Sequence, residues 1–464
     1  MVHQKLHTLE AMPVPQAILK LAIPTMLGML AQVFYNMTDT FFVGQLHDPN
    51  QVAAVAITMP IFMITMALSG IFGNGGASYV SRLLGSKDYQ RAEQTLATAW
   101  LSGIVLGIVV MIAGFYWLPS ILAVSGASAQ TYPFAASYLR VILAGSVIIM
   151  LNFAAGQLLR AEGAAKEAMF GMAIGTAANI ILDPLFIFTF HQGVAGAAVA
   201  TVIANALALA YYLWHYLARK SLIPLTFRHL RFEWPVYREI FKIGVPASIS
   251  HLLMSCAHMF MNNIAASYSD VVVAAIGIDM RVFTIPIMLS IGLAVGAQPL
   301  FGYSYGANNL PRLKSAVNAA LGMATGIVAA FTVVFALFPG WFIRIFINDA
   351  NVISVGAQIL RAMIIGLPFV GVQMVLMHAM QAMGKGMPAL VISLARQGIV
   401  FVPALIVLNA LFGFSGFIYA MAVADMLSMA LSVGFFLWIL WQEKRRAPVV
   451  SRTVALDELC GQTE

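Results

Sequence analysis

The sequence predicts an all-α integral membrane protein: twelve transmembrane helices in two six-helix lobes related by a pseudo-two-fold axis along the membrane normal. Three observations predict it. The 464 residues are 61% hydrophobic and only 9% charged, with a mean hydropathy of +0.88, whereas soluble domains carry roughly 25% charged residues. Apolar runs long enough to cross a hydrocarbon core, which takes about 20 helical residues, recur along the whole chain. The second half repeats the first.

The runs lie near residues 17–43, 53–79, 94–118, 134–158, 167–190, 193–217, 240–266, 272–303, 315–338, 353–379, 388–411 and 414–440. The first has about 26 residues and lacks the short apolar region and small-residue cleavage site of a secretory signal, so it is read as a span. Basic residues set the orientation. With both termini in the cytoplasm, all but five of the 25 Lys and Arg fall in the tails or in loops after even-numbered spans. The exceptions are Arg140, Arg281, Arg361 and Arg396, in or beside spans, and Arg344 in an outer loop. This positive-inside pattern describes a multi-pass protein of a cell (inner) membrane. It also accounts for the net charge of +7 without a nucleic-acid partner. Cys256 and Cys460 form neither a disulfide framework nor a CxxC pair. The chain carries no HExxH, GxSxG or P-loop motif, so neither an enzyme nor direct ATP hydrolysis is expected.

The richest basic segment, RKSLIPLTFRHLRFEWPVYREIFK from Arg219 to Lys242, joins span 6 to span 7 and reads as a linker. Around it the chain is duplicated. KLAIP at Lys20 returns as KIGVP at Lys242, and LLGSKDYQRAE at Leu83 aligns with SYGANNLPRLK at Ser304, sharing Gly85/Gly306 and Arg91/Arg312. Gly103-xxx-Gly107 answers Gly322-xxx-Gly326, and YLRVILAG at Tyr138 matches ILRAMIIG at Ile359. Six spans per unit make the halves parallel, with a central cleft between them. The organisation expected is a lobe over 1–218, a linker over 219–239, a lobe over 240–440 and a cytoplasmic tail over 441–464. Small-xxx-small pairs are expected to let helices approach closely within each lobe.

Ionisable groups in the membrane interior are costly and point to function. The acidic candidates are Asp39 in span 1, Asp183 in span 5, Asp279 in span 8 and Asp425 in span 12. Gln32, Tyr35 and Asn36 precede Asp39 at spacings that place all four on one helical stripe. Asn179 and Asp183 share a face at i, i+4, and Thr201 of span 6 adds a hydroxyl. Two carboxylates, an amide and a hydroxyl provide hard oxygen donors for a monovalent cation, and neighbouring carboxylates equally suit sharing a proton. The other half differs at these places: Met261 stands opposite Asp39, and Val400 and Ala404 opposite Asn179 and Asp183. Asp279 with Arg281, and Arg396 with Asp425, are expected to neutralise each other. His251 and His258 share a face without forming a metal motif, and methionines such as Met254, Met259, Met261, Met374, Met377 and Met380 suit packing and adaptable surfaces. Pro24 and Pro246 occupy matching places in spans 1 and 7, where a proline permits bending.

The 6+6 repeat, the span 1 stretch KLAIPTMLGMLAQVFYNMTDTFFVGQL, the segment GGASYVSRLLGSKD after span 2 and NIILDPLFIF in span 5 together resemble the multidrug and toxic compound extrusion (MATE) transporters. The likeness runs from about residue 15 to 440. It implies secondary active efflux of amphipathic, often cationic drugs in exchange for H+ or Na+, by alternating opening of the cleft, with no cofactor. Carried over, the cation site falls on Asp39, Asp183, Asn179 and Thr201 with Tyr35 beside it, a site for Na+ or a proton. The bending proline falls on Pro24, and Gln32, Asn36 and Asn152 line the substrate cavity. Some relatives carry acids in spans 7 and 10, which this chain lacks, so no second cation site is expected there. The expected partners are small-molecule drugs and the lipid bilayer, with a monomeric protein. A flippase for lipid-linked precursors is the rival reading, but it needs a strongly basic cleft, and only Arg281 and Arg396 are candidates for one.

Overall fold

Short polar side chains and prolines at the ends of the apolar runs set the helix starts. Asp48 accepts from the Asn50 amide where a helix opens at Pro49, Asp88 from the Arg91 amide, Asn309 from that of Arg312, and Asp349 from those of Asn351 and Val352. Each satisfies an amide that the first helical turn leaves unbonded. The computed structural model describes the backbone of residues 2–46, 48–226 and 232–460, and their side chains apart from 2–4, 251, 254–256, 258–259, 262–263, 266 and 446–460. The side chains of His251, His258, Met254, Met259, Cys256 and Cys460, and residues 227–231 of the linker, lie outside the described residues.

In chain order the helices are α1 (Val2–Glu10), α2 (Val14–Gly44), α3 (Pro49–Gly85), α4 (Tyr89–Tyr116), α5 (Leu118–Val124), α6 (Tyr132–Ala144), α7 (Ser146–Ala161), α8 (Ala165–Pro184), α9 (Gly193–Leu217), α10 (Trp234–Tyr268), α11 (Asp270–Gly306), α12 (Leu310–Leu337), α13 (Pro339–Arg344), α14 (Ala350–Ala382), α15 (Gly386–Leu394), α16 (Phe401–Phe412) and α17 (Phe414–Cys460). π-helical turns at Leu185–Thr189 and Ala395–Ile399 extend α8 and α15. Among the described residues there is no strand.

Among the described residues, ten segments are long and apolar enough to cross a membrane: α2, α3, α4, α8 with its π turn, α9, α11, α12, α14, α15–α16, and α17 as far as Arg445. The fourth predicted span is the pair α6 and α7, bent by 54° at Gly145, where an added Cβ would meet the Val202 side chain. The seventh is α10, whose 35 residues exceed what a hydrocarbon core of about 30 Å requires. Each of the predicted runs is therefore helical.

The duplication has a geometric imprint. Lys87 and Asn308 hold matching places in the repeat and both adopt left-handed backbone, with φ of 61° and 53°. Each immediately precedes a capping residue, Asp88 or Asn309. Contacts across the axis are reciprocal: a Cβ on Gly85 would strike the Tyr303 carbonyl, and one on Gly306 the Arg82 carbonyl. Gly85 corresponds to Gly306 in the repeat and Arg82 to Tyr303, so the contact is self-complementary, as a two-fold axis requires.

The lobes close on each other at the end carrying the basic loops. Gly292 and Gly296 of α11 admit Met26 and Ala22 of α2, and Gly244 of α10 admits the Ile71 carbonyl of α3. Ser78 Oγ donates to the Gln381 carbonyl at 2.6 Å, and Arg82 Nη1 to Glu239 Oε2 at 2.8 Å. Arg312 donates to the carbonyls of Leu9 and Met12 at 3.0 and 2.9 Å, tying the N-terminal segment to α12. Toward the opposite end, α2 exposes Phe34, Met37 and Phe41, and α3 exposes Met59 and Met63.

One packing expectation fails. Gly103 and Gly107 of α4 pack against Leu151 and Val147, but Gly322 and Gly326 of α12 meet nothing within 4 Å. Both are exposed, because α12 turns that face away from its lobe.

Candidate ion and substrate site

The N-terminal lobe gathers polar side chains from α2, α7, α8 and α9. Asn179 and Asp183 stand one turn apart on α8, so Asn179 Nδ2 donates to Asp183 Oδ1 at 3.0 Å. Both are fully buried. Tyr35 of α2 and Thr201 of α9 meet hydroxyl to hydroxyl at 3.3 Å. Asp39, one turn beyond Tyr35, is half-buried and lies within electrostatic reach of both Tyr35 and Asp183. The structure thus brings together Asp39, Asp183, Asn179, Thr201 and Tyr35. Directly after Asp183, Pro184 supplies no amide and the Phe190 amide bonds the Leu185 carbonyl, a π register that is frequent at functional sites.

Asn152 of α7 joins the cluster through a residue that the sequence reading missed. Asn152 Nδ2 donates to Asn205 Oδ1 at 2.8 Å, and Asn205 Nδ2 donates to the Thr201 carbonyl at 2.8 Å. The i, i+4 spacing of Thr201 and Asn205 is the signal that marks it. Tyr138 was also missed: it is buried and within electrostatic reach of Asp39 and Asp183, and no spacing in the sequence singles it out. Gln32 and Asn36 remain apart from the buried cluster. Gln32 Nε2 donates to Asn36 Oδ1 at 3.4 Å on an exposed face of α2. Pro24 is buried within α2, which stays helical through it; fifteen residues, or about 22 Å of helix, separate it from Asp39.

Three oxygens of this network, Asn179 Oδ1, Asp183 Oδ2 and Asn152 Oδ1, accept no hydrogen bond among the described residues. Buried acceptors are nearly always satisfied, and leaving one unmade costs about 1–3 kcal/mol. A network rich in acceptors and short of donors is suited to a small cation or a proton. Among the described residues no group of three or more His, Cys, Asp or Glu is placed to hold a metal ion.

In the C-terminal lobe Met261 is buried at the place of Asp39. The expected pairing of Arg396 with Asp425 is present, Nε to Oδ1 at 2.7 Å. The expected pairing of Asp279 with Arg281 is not. Two residues apart on a helix, they face opposite ways; Arg281 is exposed, and Asp279 is fully buried with neither oxygen hydrogen-bonded among the described residues.

A model of the MatE family matches residues 24–185 and again residues 246–406, once in each repeat. The chain belongs to the MatE family. This MatE protein is a multi-pass membrane transporter and not an enzyme. It is 31% identical over 428 residues to the multidrug export protein MepA of Staphylococcus aureus strain MRSA252, covering 92% of this chain and 94% of the relative. The MepA of Staphylococcus saprophyticus is 30% identical over 425 residues, with the same coverage. A solved structure described as the outward-facing conformation of a multidrug resistance MATE family transporter of the MOP superfamily superposes with a TM-score of 0.90 at 27% identity, covering 95% of this chain and 98% of that one.

Proposed function

We propose that this MatE protein is a secondary active antiporter that exports amphipathic, cationic compounds in exchange for H+ or Na+. The observation that carries the reading is the set of unbonded oxygens on Asn179, Asp183 and Asn152 beside Asp39, in a lobe whose repeat partner has Met261, Val400 and Ala404 at the places of Asp39, Asn179 and Asp183. The coupling ion binds among Asp39, Asp183, Asn179 and Thr201, with Tyr35 alongside, and neutralises the carboxylates. Helix α2 then bends at Pro24 or repacks, and the lobe's affinity for substrate changes. Gln32, Asn36 and Asn152 line the substrate path. Coupling of this kind requires each ligand to bind the two states unequally. The moving units are the lobes 1–218 and 240–440, linked through 219–239 and followed by the tail 441–464.

With the basic end cytoplasmic, as the positive-inside rule directs, closure at Gly85 and Gly306 corresponds to an outward-facing state in the inner membrane, with both termini inside. The protein works as a monomer without a cofactor. Multidrug export is the activity named for the staphylococcal relatives and supports the substrate class. The test is transport of a fluorescent organic cation in vesicles under separately imposed proton and sodium gradients. One gradient drives export in the wild type, and Asp39→Asn and Asp183→Asn each abolish it. Undiminished gradient-driven export in the double variant overturns the reading.

A further inference from the structure

At the closed basic end, a cleft of about 140 Å³ lies where three pieces of chain converge: the end of α1, the turn between α3 and α4, and the turn between α11 and α12. At about 30 Å³ per molecule in the liquid, it has room for several waters or for one tetrahedral oxyanion. Glu10, Lys87, Tyr303, Ser304, Asn309 and Arg312 line it. Lys87 belongs to the N-terminal half of the repeat, and Ser304, Asn309 and Arg312 to the C-terminal half. Gly85, which presses on the Tyr303 carbonyl across the axis, also borders the cleft, so the cleft lies in the seam between the lobes.

The lining is rich in donors and short of acceptors. Ser304 is fully buried, and its hydroxyl makes no hydrogen bond among the described residues, although buried polar groups nearly always have a partner. Arg312 gives Nε and Nη2 to the carbonyls of Leu9 and Met12, and its Nη1 makes no hydrogen bond among the described residues. Asn309 accepts the Arg312 amide on Oδ1, which leaves its Nδ2 as a donor. The one acid in the lining, Glu10, meets Lys87 Nζ at 3.5 Å with both side chains largely exposed, a pair too weak to fix the lysine. Two cations against one carboxylate leave the cleft positive. The repeat supplies a control: Leu83 and Asp88 stand at the places of Ser304 and Asn309. An apolar side chain and an acid there replace a hydroxyl and an amide, so these donors are gathered on one side of the axis only. An oxyanion brings the acceptors that the cleft lacks, and hydrogen bonds from Arg and Lys to phosphate oxygens are among the stronger ones. We infer that the cleft binds a free tetrahedral oxyanion of the phosphate class between Lys87 of one lobe and Ser304, Asn309 and Arg312 of the other, and that the bound ion holds the basic end closed. These groups part when that end opens, so the ion binds the closed state more tightly and favours it by its ratio of affinities for the two states.

Binding of inorganic phosphate to the full-length protein, purified in phosphate-free buffer near neutral pH, is measured by isothermal titration calorimetry. Sulfate serves as competitor, chloride as the non-tetrahedral control and dihexanoylphosphatidylglycerol as a lipid phosphate. Phosphate binds saturably, one ion per chain; sulfate displaces it, and chloride at the same concentration does not. Asn309→Asp keeps the helix cap but adds a carboxylate and raises the dissociation constant about tenfold, whereas Asn309→Ser keeps the cap without the charge and stays within threefold of the wild type. Lys87→Gln also weakens binding and serves if Asn309→Asp does not fold; Glu10→Gln, which removes the competing acid, tightens it. Closure is read from spin labels at Lys166→Cys and Met387→Cys, exposed repeat mates on the two lobes, in a Cys256→Ser, Cys460→Ser background. Phosphate enriches the shorter distance. Absence of saturable phosphate binding overturns the site, as does saturation by the lipid phosphate alone, or a dissociation constant unchanged within twofold in both folded Asn309→Asp and Lys87→Gln. Bound phosphate that leaves the distance distribution unmoved refutes its hold on the closed end.

Discussion

Glu162 lies in the turn between α7 and α8, at the basic end and outside the spans, and is fully buried. Its carboxylate accepts from the Tyr216 hydroxyl at 3.3 Å, the Leu222 amide at 3.0 Å and the Ser221 hydroxyl, so it ties this turn to the segment that follows α9. Burial pushes its pKa from 4.5 up to about 7, against the opposing pull of the Ser221 hydrogen bond and of Lys5. A carboxyl whose pKa is raised on folding binds its proton more tightly in the folded state. Its stabilising contribution is therefore complete below pH 4.5 and is lost as the pH rises through about 7. At about 1.36 kcal/mol per pH unit the loss is ~3 kcal/mol, or ~3 °C in Tm for a chain of this length. Thermal unfolding of the purified protein, followed by intrinsic fluorescence at pH 5 and pH 8, measures it. Glu162→Gln keeps the shape and carries no charge, so it matches the wild type at pH 5 and is ~3 °C more stable than the wild type at pH 8. An identical pH 5 to pH 8 difference in the two proteins, or a wild type whose excess loss has the opposite sign, refutes the reasoning.

Replacing Asp425 with alanine strands Arg396 in the C lobe and destabilises the protein by about 3–5 kcal/mol, read as a lowered Tm; Arg396→Gln with Asp425→Asn recovers most of it. Gly85→Ala and Gly306→Ala each push a Cβ into a backbone carbonyl across the axis, at a cost of about 1–3 kcal/mol to the closed basic end, a factor of roughly 5–150 in the closed-to-open ratio. Because the two positions are symmetry mates, spin-label distances across the basic end shift alike in both variants. Pro24→Ala restores an amide to α2 and stiffens it, so transport slows while the affinity for a fluorescent substrate, measured by polarisation, stays within twofold of wild type.

Twelve spans, the inward bias of Lys and Arg, the repeat, and the shared faces of Tyr35 with Asp39 and of Asn179 with Asp183 were all determined by the sequence alone. Each depends on hydropathy over about 20 residues or on spacing within two turns of one helix. Partners on other helices were decided only by the tertiary structure. Asn205 became the link between Asn152 and Thr201, Tyr138 entered the neighbourhood of Asp39, and Asp279 lost the partner its sequence neighbour seemed to offer. The repeat likewise left open that Gly107 would touch Val147 while Gly326 faces nothing. Periodicity defines the stripes on a helix but not the rotation and depth at which that helix packs against its neighbours. Those are settled by side-chain fit between segments that lie on different helices, well apart in the chain.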